Sequence, residues 1–237
     1  MDEVIEAKAG QGGTLRERLV MLGEPDGSAA EAYRTLRTNL RFDPRAGDRA
    51  GGRVYLLADS GDVGDHAAVV ANLGVACALA GERVIVADAD LRGTPNAGRR
   101  AASLSALFGQ GGATEGIATA ILGPDEEDRT IVLPVVETGV ANLLLLPAGA
   151  RGANPGDLLS AEGFGVLLAA LRAQADVVLF DAPPVADVAD SRAIAARVDG
   201  VLLLVAQGRT RRPQAQRALA ALAQVGANVL GVVLTET

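Results

Sequence analysis

The segment from Arg53 to Gly74, RVYLLADSGDVGDHAAVVANLG, constrains the fold more than any other part of the chain. Val54 to Ala58 reads as a short buried strand, the residues up to Gly64 as a polar turn, and Asp65 or His66 to Leu79 as a helix that Gly81 ends. A second strand, Arg83 to Ala87, follows at once. A strand, a helix and another strand in this order form a parallel crossover unit, which needs a sheet with helices packed on it. Phosphate binds at turns of this kind when glycine-freed N–H groups, a helix N-terminus and a lysine converge. Here the frame suits phosphate and the loop chemistry does not. Asp59, Asp62 and Asp65 are acidic, and no lysine or hydroxyl follows Gly64.

The pattern continues downstream. Val140 to Leu146, Asp176 to Phe180, Val201 to Val205 and Val229 to Leu234 read as further strands. Between them fall a short helix at Ile117 to Leu122, a helix opened by Asn154 and Pro155, and a last helix from Pro213 to Val225 that presents Leu219 and Leu222. The second of these has its apolar face in Leu158, Leu159, Phe164, Leu167, Leu168 and Leu171. The expected fold is therefore α/β, a mostly parallel central sheet with helices on both faces. The chain has four Phe, two Tyr and no Trp, so Ala, Val and Leu must build the core. Ala71, Gly74, Val75 and Ala78 give one helix a small-residue face that can approach the sheet closely.

Residues 1–28 read as an N-terminal extension and 29–237 as a single domain. Leu15 to Leu22 suits a short helix or strand. Ser28 is placed to cap a helix from Ala29 to Phe42, with Glu31 completing a capping box. On that helix Leu36, Leu40 and Tyr33 share a face, while Glu31, Arg34 and Arg37 form a separate charged diagonal. Pro44 to Gly52 reads as a surface connector. A net charge of -7 with scattered arginines argues against a nucleic-acid partner. The lone Cys77, inside an apolar run, reads as buried filler. With no signal-peptide core in MDEVIEAKAGQGG and no apolar run of membrane-spanning length, a cytosolic protein is expected, docking to a membrane protein being compatible with that.

Acidic residues mark the carboxyl ends of the strands, where α/β proteins place ligands. Asp88 and Asp90 close the second strand, and Asp181 follows VVLF as a magnesium-holding carboxylate would. Asp187 and Asp190 could line the same edge, but are expected first as caps or surface residues. Pro124 to Asp128 reads as a solvated acidic loop, and the basic turn Gln207 to Arg212 is expected to face solvent, with phosphate or a partner as the alternatives.

Four segments, EAYRTLRTNLRF, DADLRGTP, NPGDLLS and DAPPVADVAD, resemble in order the cytoplasmic kinase domains of the bacterial tyrosine kinases that accompany capsule and exopolysaccharide assembly, which are P-loop NTPase-like and related to partitioning ATPases. The resemblance implies an oligomer contact through Glu31, Arg34 and Arg37, and catalytic duties for Asp88, Asp90 and Asp181. It gives magnesium to Asp88 and Asp181, and implies Mg2+ and ATP or ADP as cofactors wherever the site functions. Arg92 matches the family's basic position, although Pro95 falls one residue late. Thr235 stands where these kinases carry an asparagine near the base. Homologous subunits and a membrane chain-length regulator are the implied partners. The family's C-terminal tyrosine cluster has no counterpart, and Tyr33 and Tyr55 read as packing residues.

Registering the loop on Ala71-Asn72-Leu73 makes Gly64, Asp65, His66, Ala67 and Ala68 the phosphate-loop positions. His66 then occupies the lysine position, Ala67 the magnesium-binding hydroxyl position, and Asp65 and Val63 two glycine positions. Histidine carries little fixed charge near neutrality, alanine cannot coordinate a cation, and an aspartate adds negative charge where phosphates would sit. The expected function is a catalytically impaired or inactive homologue serving as an assembly or regulatory subunit. Two alternatives stand beside it. One is an active kinase or ATPase in which His66, Arg92 or a neighbour's arginine supplies the missing charge. The other is a partitioning-type positioning protein.

Overall fold

A computed structural model describes residues 15–46, 51–61, 63–92, 103–122, 131–150 and 154–235. Two short helices, α1 (Leu15–Arg18) and α2 (Val20–Gly23), lead into α3 (Ser28–Phe42). Strand β1 (Arg53–Asp59), helix α4 (His66–Ala78) and strand β2 (Val84–Asp88) form the crossover unit that the sequence announces. Helices α5 (Leu104–Leu107) and α6 (Ile117–Leu122) precede two strands, β3 (Val136–Glu137) and β4 (Leu143–Leu146). Helices α7 (Pro155–Ser160) and α8 (Glu162–Gln174) return the chain to β5 (Val177–Ala182). The last part runs through α9 (Ala189–Ala195), β6 (Gly200–Ala206), α10 (Arg212–Gln224) and β7 (Val229–Thr235).

The strands form one sheet in the order β3-β4-β2-β5-β1-β6-β7. Every pairing is parallel except β3 with β4. Apolar side chains are buried on both faces of the sheet, giving two cores. One lies under α3 and α4, with Leu57, Leu73 and Leu179. The other, with Leu56, Phe164 and Phe180, includes residues of α8 and α9. That two-sided burial is why β1 and β5 read as unbroken apolar runs.

Helix α4 is buried almost all round because α2 and α3 cover the side that faces away from the sheet. Its small-residue face works as expected at Gly74, where a Cβ would come within 2.7 Å of Val86 Cγ1. Cys77 is buried, and burial, aided by the charge of Glu82, pushes its thiol up to about 12. Tyr55 is buried too, and its hydroxyl donates to the Leu40 carbonyl.

Several local expectations are corrected. The capping box at Ser28 does not form: Gly27 is the N-cap residue and uses no side chain, its carbonyl taking the Glu31 N–H at 3.1 Å. Ser28 is thereby the first helical residue. Gly52 is not at the surface. A Cβ there would stand 1.9 Å from the Ala175 carbonyl, so only glycine lets the chain pass between α8 and the start of β1. The helix expected after Asn154 is two helices, since Ala161 is extended and the Arg197 guanidinium binds the carbonyls of Ser160 and Ala161. Strand β3 went unforeseen, being only a residue pair on an edge. In α10 Ala218, Ala221 and Leu222 are buried while Leu219 is 39% exposed. Leu15 of α1, Met21 of α2 and Leu19 between them enter the core, and the Met21 N–H binds Asn72 Oδ1 at 3.1 Å. Asp62, Gly93 to Pro95 and Pro124 to Asp128 lie outside the described residues.

Candidate functional site at the carboxyl edge of the sheet

Three neighbouring strands end in aspartates at one edge. β1 closes with Asp59, β2 with Asp88, and β5 carries Asp181 as its last residue but one. Asp88 and Asp181 are register partners. All three carboxylates are buried, because each sits on a strand covered on both faces.

Each has an internal occupation. Asp59 Oδ1 accepts from the N–H groups of Gly61 at 2.6 Å and Val63 at 3.3 Å, which folds the start of the loop back on its own strand. Asp88 Oδ2 accepts from the Ser105 N–H at 2.9 Å and its hydroxyl at 2.6 Å, and Oδ1 from the Asp90 N–H at 3.2 Å. Asp181 Oδ1 is held by His66 Nδ1, both side chains being almost wholly buried. Burial first, and the charge of Asp181 second, raise the Asp88 carboxyl to about 6, against the opposing hydrogen bonds from Ser105 and Asp90. Asp90 is half-buried at the turn after β2 and contributes that N–H.

The phosphate-loop positions follow a consistent local logic. Asp65 is the N-cap of α4, and its Oδ1 takes the Ala68 N–H at 3.2 Å. An aspartate in this position satisfies a helix-terminal donor that an anion would otherwise use. His66, as the first helical residue, turns inward onto Asp181; Ala67 is buried beside it and offers no ligand atom. Gly64 lies under Arg209, whose Nη1 would be 3.3 Å from a Cβ added there. Nearby, Tyr33 on α3 has its hydroxyl raised to about 12 by burial and then by the charge of Asp65. Among the described residues no group of three His, Cys, Asp or Glu side chains is arranged to hold a metal ion.

Arg92 points elsewhere. It makes a two-pronged ion pair with Asp190 on α9, at 2.6 and 2.9 Å, and Asp190 is fully buried rather than a surface cap. On α3, Arg34 pairs with Glu31 at 3.1 Å and with the Pro25 carbonyl at 2.5 Å. Arg37 donates to the Ala76 carbonyl on α4 at 3.3 Å. The charged diagonal is thus partly tied to its own chain, with Glu31 the most exposed of the ion pair. Sequence reasoning missed Ser105 and Asp59. Asp59 was visible as an Asx-turn signal before Gly61, whereas nothing in the sequence brings Ser105 to Asp88 across the intervening residues.

A mostly parallel α/β sheet with acids at the carboxyl ends of the strands that flank a strand-loop-helix turn defines the P-loop NTPase class of fold. No family model matches the chain. It is 29% identical over 224 residues to the tyrosine-protein kinase YwqD of Bacillus subtilis, covering 94% of this chain and 88% of that protein. It is 31% identical over 220 residues to the tyrosine-protein kinase wzc of Salmonella typhimurium, covering 92% of this chain but only 28% of that protein. The solved VpsO kinase domain superposes with a TM-score of 0.72 at 27% identity, over 89% of this chain and 95% of that domain. The chain is a homologue of the bacterial tyrosine kinases. No helix among the described residues is long and apolar enough to cross a membrane.

Proposed function

We propose that this chain is a catalytically impaired homologue of the polysaccharide-associated tyrosine kinases and acts as an assembly or regulatory subunit in exopolysaccharide or capsule export. The observation that carries this reading is the His66 contact with Asp181. In the family's arrangement a lysine at the His66 position reaches phosphate and the Asp181 carboxylate serves magnesium. Here the two side chains satisfy each other inside the protein. Asp88 is spoken for by Ser105, and Asp65 occupies the N-terminus of α4 with its own carboxylate. These residues do not fit a magnesium nucleotide, so no phosphoryl-transfer step is assigned to them. With the nucleotide edge closed, the remaining role is contact with homologous subunits and a membrane chain-length regulator, in which the exposed side of α3 around Glu31 takes part.

Calorimetric titration with MgATP and MgADP tests the reading. The expected result is no binding by the natural chain and clear binding by the variant Asp65→Gly/His66→Lys/Ala67→Ser. Tight binding by the natural chain overturns it. One observation favours the active alternative, namely the Arg209 guanidinium over Gly64, which brings positive charge to the loop from β6. MgATP turnover abolished by Arg209→Ala and by Asp181→Asn would establish that alternative.

A further inference from the structure

Strand β7 ends the sheet, and its outer edge is only partly covered. At its start the Arg45 guanidinium takes the Leu230 carbonyl at 2.5 Å. Beyond Leu230, nothing among the described residues pairs with that edge. Proteins usually blunt such an edge with lysine, proline or inward charge, because its free N–H and C=O groups recruit another strand. The last residues of β7, Val232-Val233-Leu234-Thr235, contain none of these, and they are β-branched or apolar throughout. Val232 and Leu234, two apart and so on one face, are 52% and 67% exposed.

The end of this strand adjoins a concentration of positive charge. The Gln207 N–H binds the Thr235 carbonyl at 2.9 Å, which fixes the turn after β6 against the last residue of β7. That turn and the start of α10 carry Arg209, Arg211 and Arg212, all exposed and with no carboxylate partner among the described residues. Arg172 and Arg92, by contrast, are committed to Asp199 and Asp190. In a chain of net charge -7, three guanidiniums within four residues, with no carboxylate partner among the described residues, make a local positive patch.

We propose that the free edge of β7 and this arginine turn form one docking surface for an extended, apolar and acidic segment of a partner protein. The segment adds as an eighth strand beside β7. Its main chain supplies the hydrogen bonds, alternate apolar side chains lie on Val232 and Leu234, and a block of carboxylates at one end meets Arg209, Arg211 and Arg212. The arginines sit at only one end of the strand, so they set where the acidic block must fall. They also make binding dependent on salt. Arg209 alone is shared with the nucleotide loop; Arg211, Arg212, Val232 and Leu234 lie outside it, so Leu234→Lys tests the surface whichever way the nucleotide titration falls.

Fluorescence anisotropy with two labelled peptides tests the proposal. One consists of Thr-Val repeats followed by Glu-Glu-Asp-Glu, and the other carries the acidic block first. Controls replace the acids by lysines or interrupt the repeats with proline. At least one acidic peptide is expected to bind about tenfold or more tightly than both controls, and more weakly as salt rises. Arg209→Glu/Arg211→Glu/Arg212→Glu and, separately, Leu234→Lys are each expected to weaken it about tenfold, with unchanged circular dichroism. Equal affinity for acidic and lysine peptides, or tolerance of the proline interruption, overturns the proposal. So does self-association of the natural chain that Leu234→Lys abolishes, since the edge would then belong to a second copy.

Discussion

A buried histidine touching a buried aspartate is a costly arrangement unless each partner satisfies the other, and His66 and Asp181 are in that position. Truncating His66→Ala leaves the Asp181 carboxylate without that contact in a site closed to water. A loss of about 3 kcal/mol is expected in chemical denaturation. In Asp181→Asn the same truncation should cost clearly less, and that double-mutant cycle measures the coupling. Asp88 gives a separate pH signature. Its folded carboxyl lies near 6, above its ordinary 3.8. Between those values the folded state keeps a proton that the unfolded chain has released. The associated stability is therefore full below about pH 4 and is lost as pH rises through about 6. A gap of this size corresponds to about 3 kcal/mol. Relative to Asp88→Asn, the natural chain should lose roughly that much between pH 4 and pH 7 in denaturant titrations.

At the scale of elements, the joints between helices and sheet depend on glycine where backbone meets backbone. Gly52 is the clearest case. Its N–H binds the Arg172 carbonyl at 2.8 Å and its own carbonyl receives the Arg172 guanidinium at 2.7 Å. A Cβ there meets the Ala175 main chain, which cannot swing away as a side chain can. Gly52→Ala is expected to destabilise by about 3 kcal/mol, visible as a fall in Tm. Arg172 also pairs with Asp199 at 2.6 Å, and Asp199 Oδ2 takes the Val54 N–H at 2.8 Å. That cluster ties α8, β1 and the entry to β6 together at the amino edge. Arg172→Met should therefore cost about 3 kcal/mol, since it strands a buried carboxylate.

Taken whole, the molecule keeps the Arg172 cluster and its candidate site at opposite ends of the sheet. The Arg172 cluster holds the amino edge, while Asp65, His66, Asp88 and Asp181 occupy the carboxyl edge. Exchanging Asp65, His66 and Ala67 for glycine, lysine and serine leaves the amino-edge cluster untouched and puts a cation beside Asp181, so the fold should stay intact by circular dichroism. Ligand linkage then separates the two chains. At a MgATP concentration about a hundredfold above its Kd, the restored variant should gain about 2.7 kcal/mol, seen as a rise in Tm, and the natural chain should gain none.

The sequence by itself determined the parallel sheet, the succession of its main strands along the chain and the positions of the acids at their ends. Those follow from periodicity and turn chemistry, which act between near neighbours: apolar runs at β1, β2, β5 and β6, and the stop at Gly81. The composition of the loop was equally legible, so the absence of a lysine and a hydroxyl needed no coordinates. Only the tertiary structure decided what the substituted side chains do instead. Asp65 could have pointed to solvent, yet it caps its own helix. His66 reaches a residue 115 positions away, Arg92 one 98 positions away, and Ser105 closes on Asp88 across 17. Such pairings depend on which strands lie side by side and which helix ends face one another. No spacing along the chain encodes that geometry.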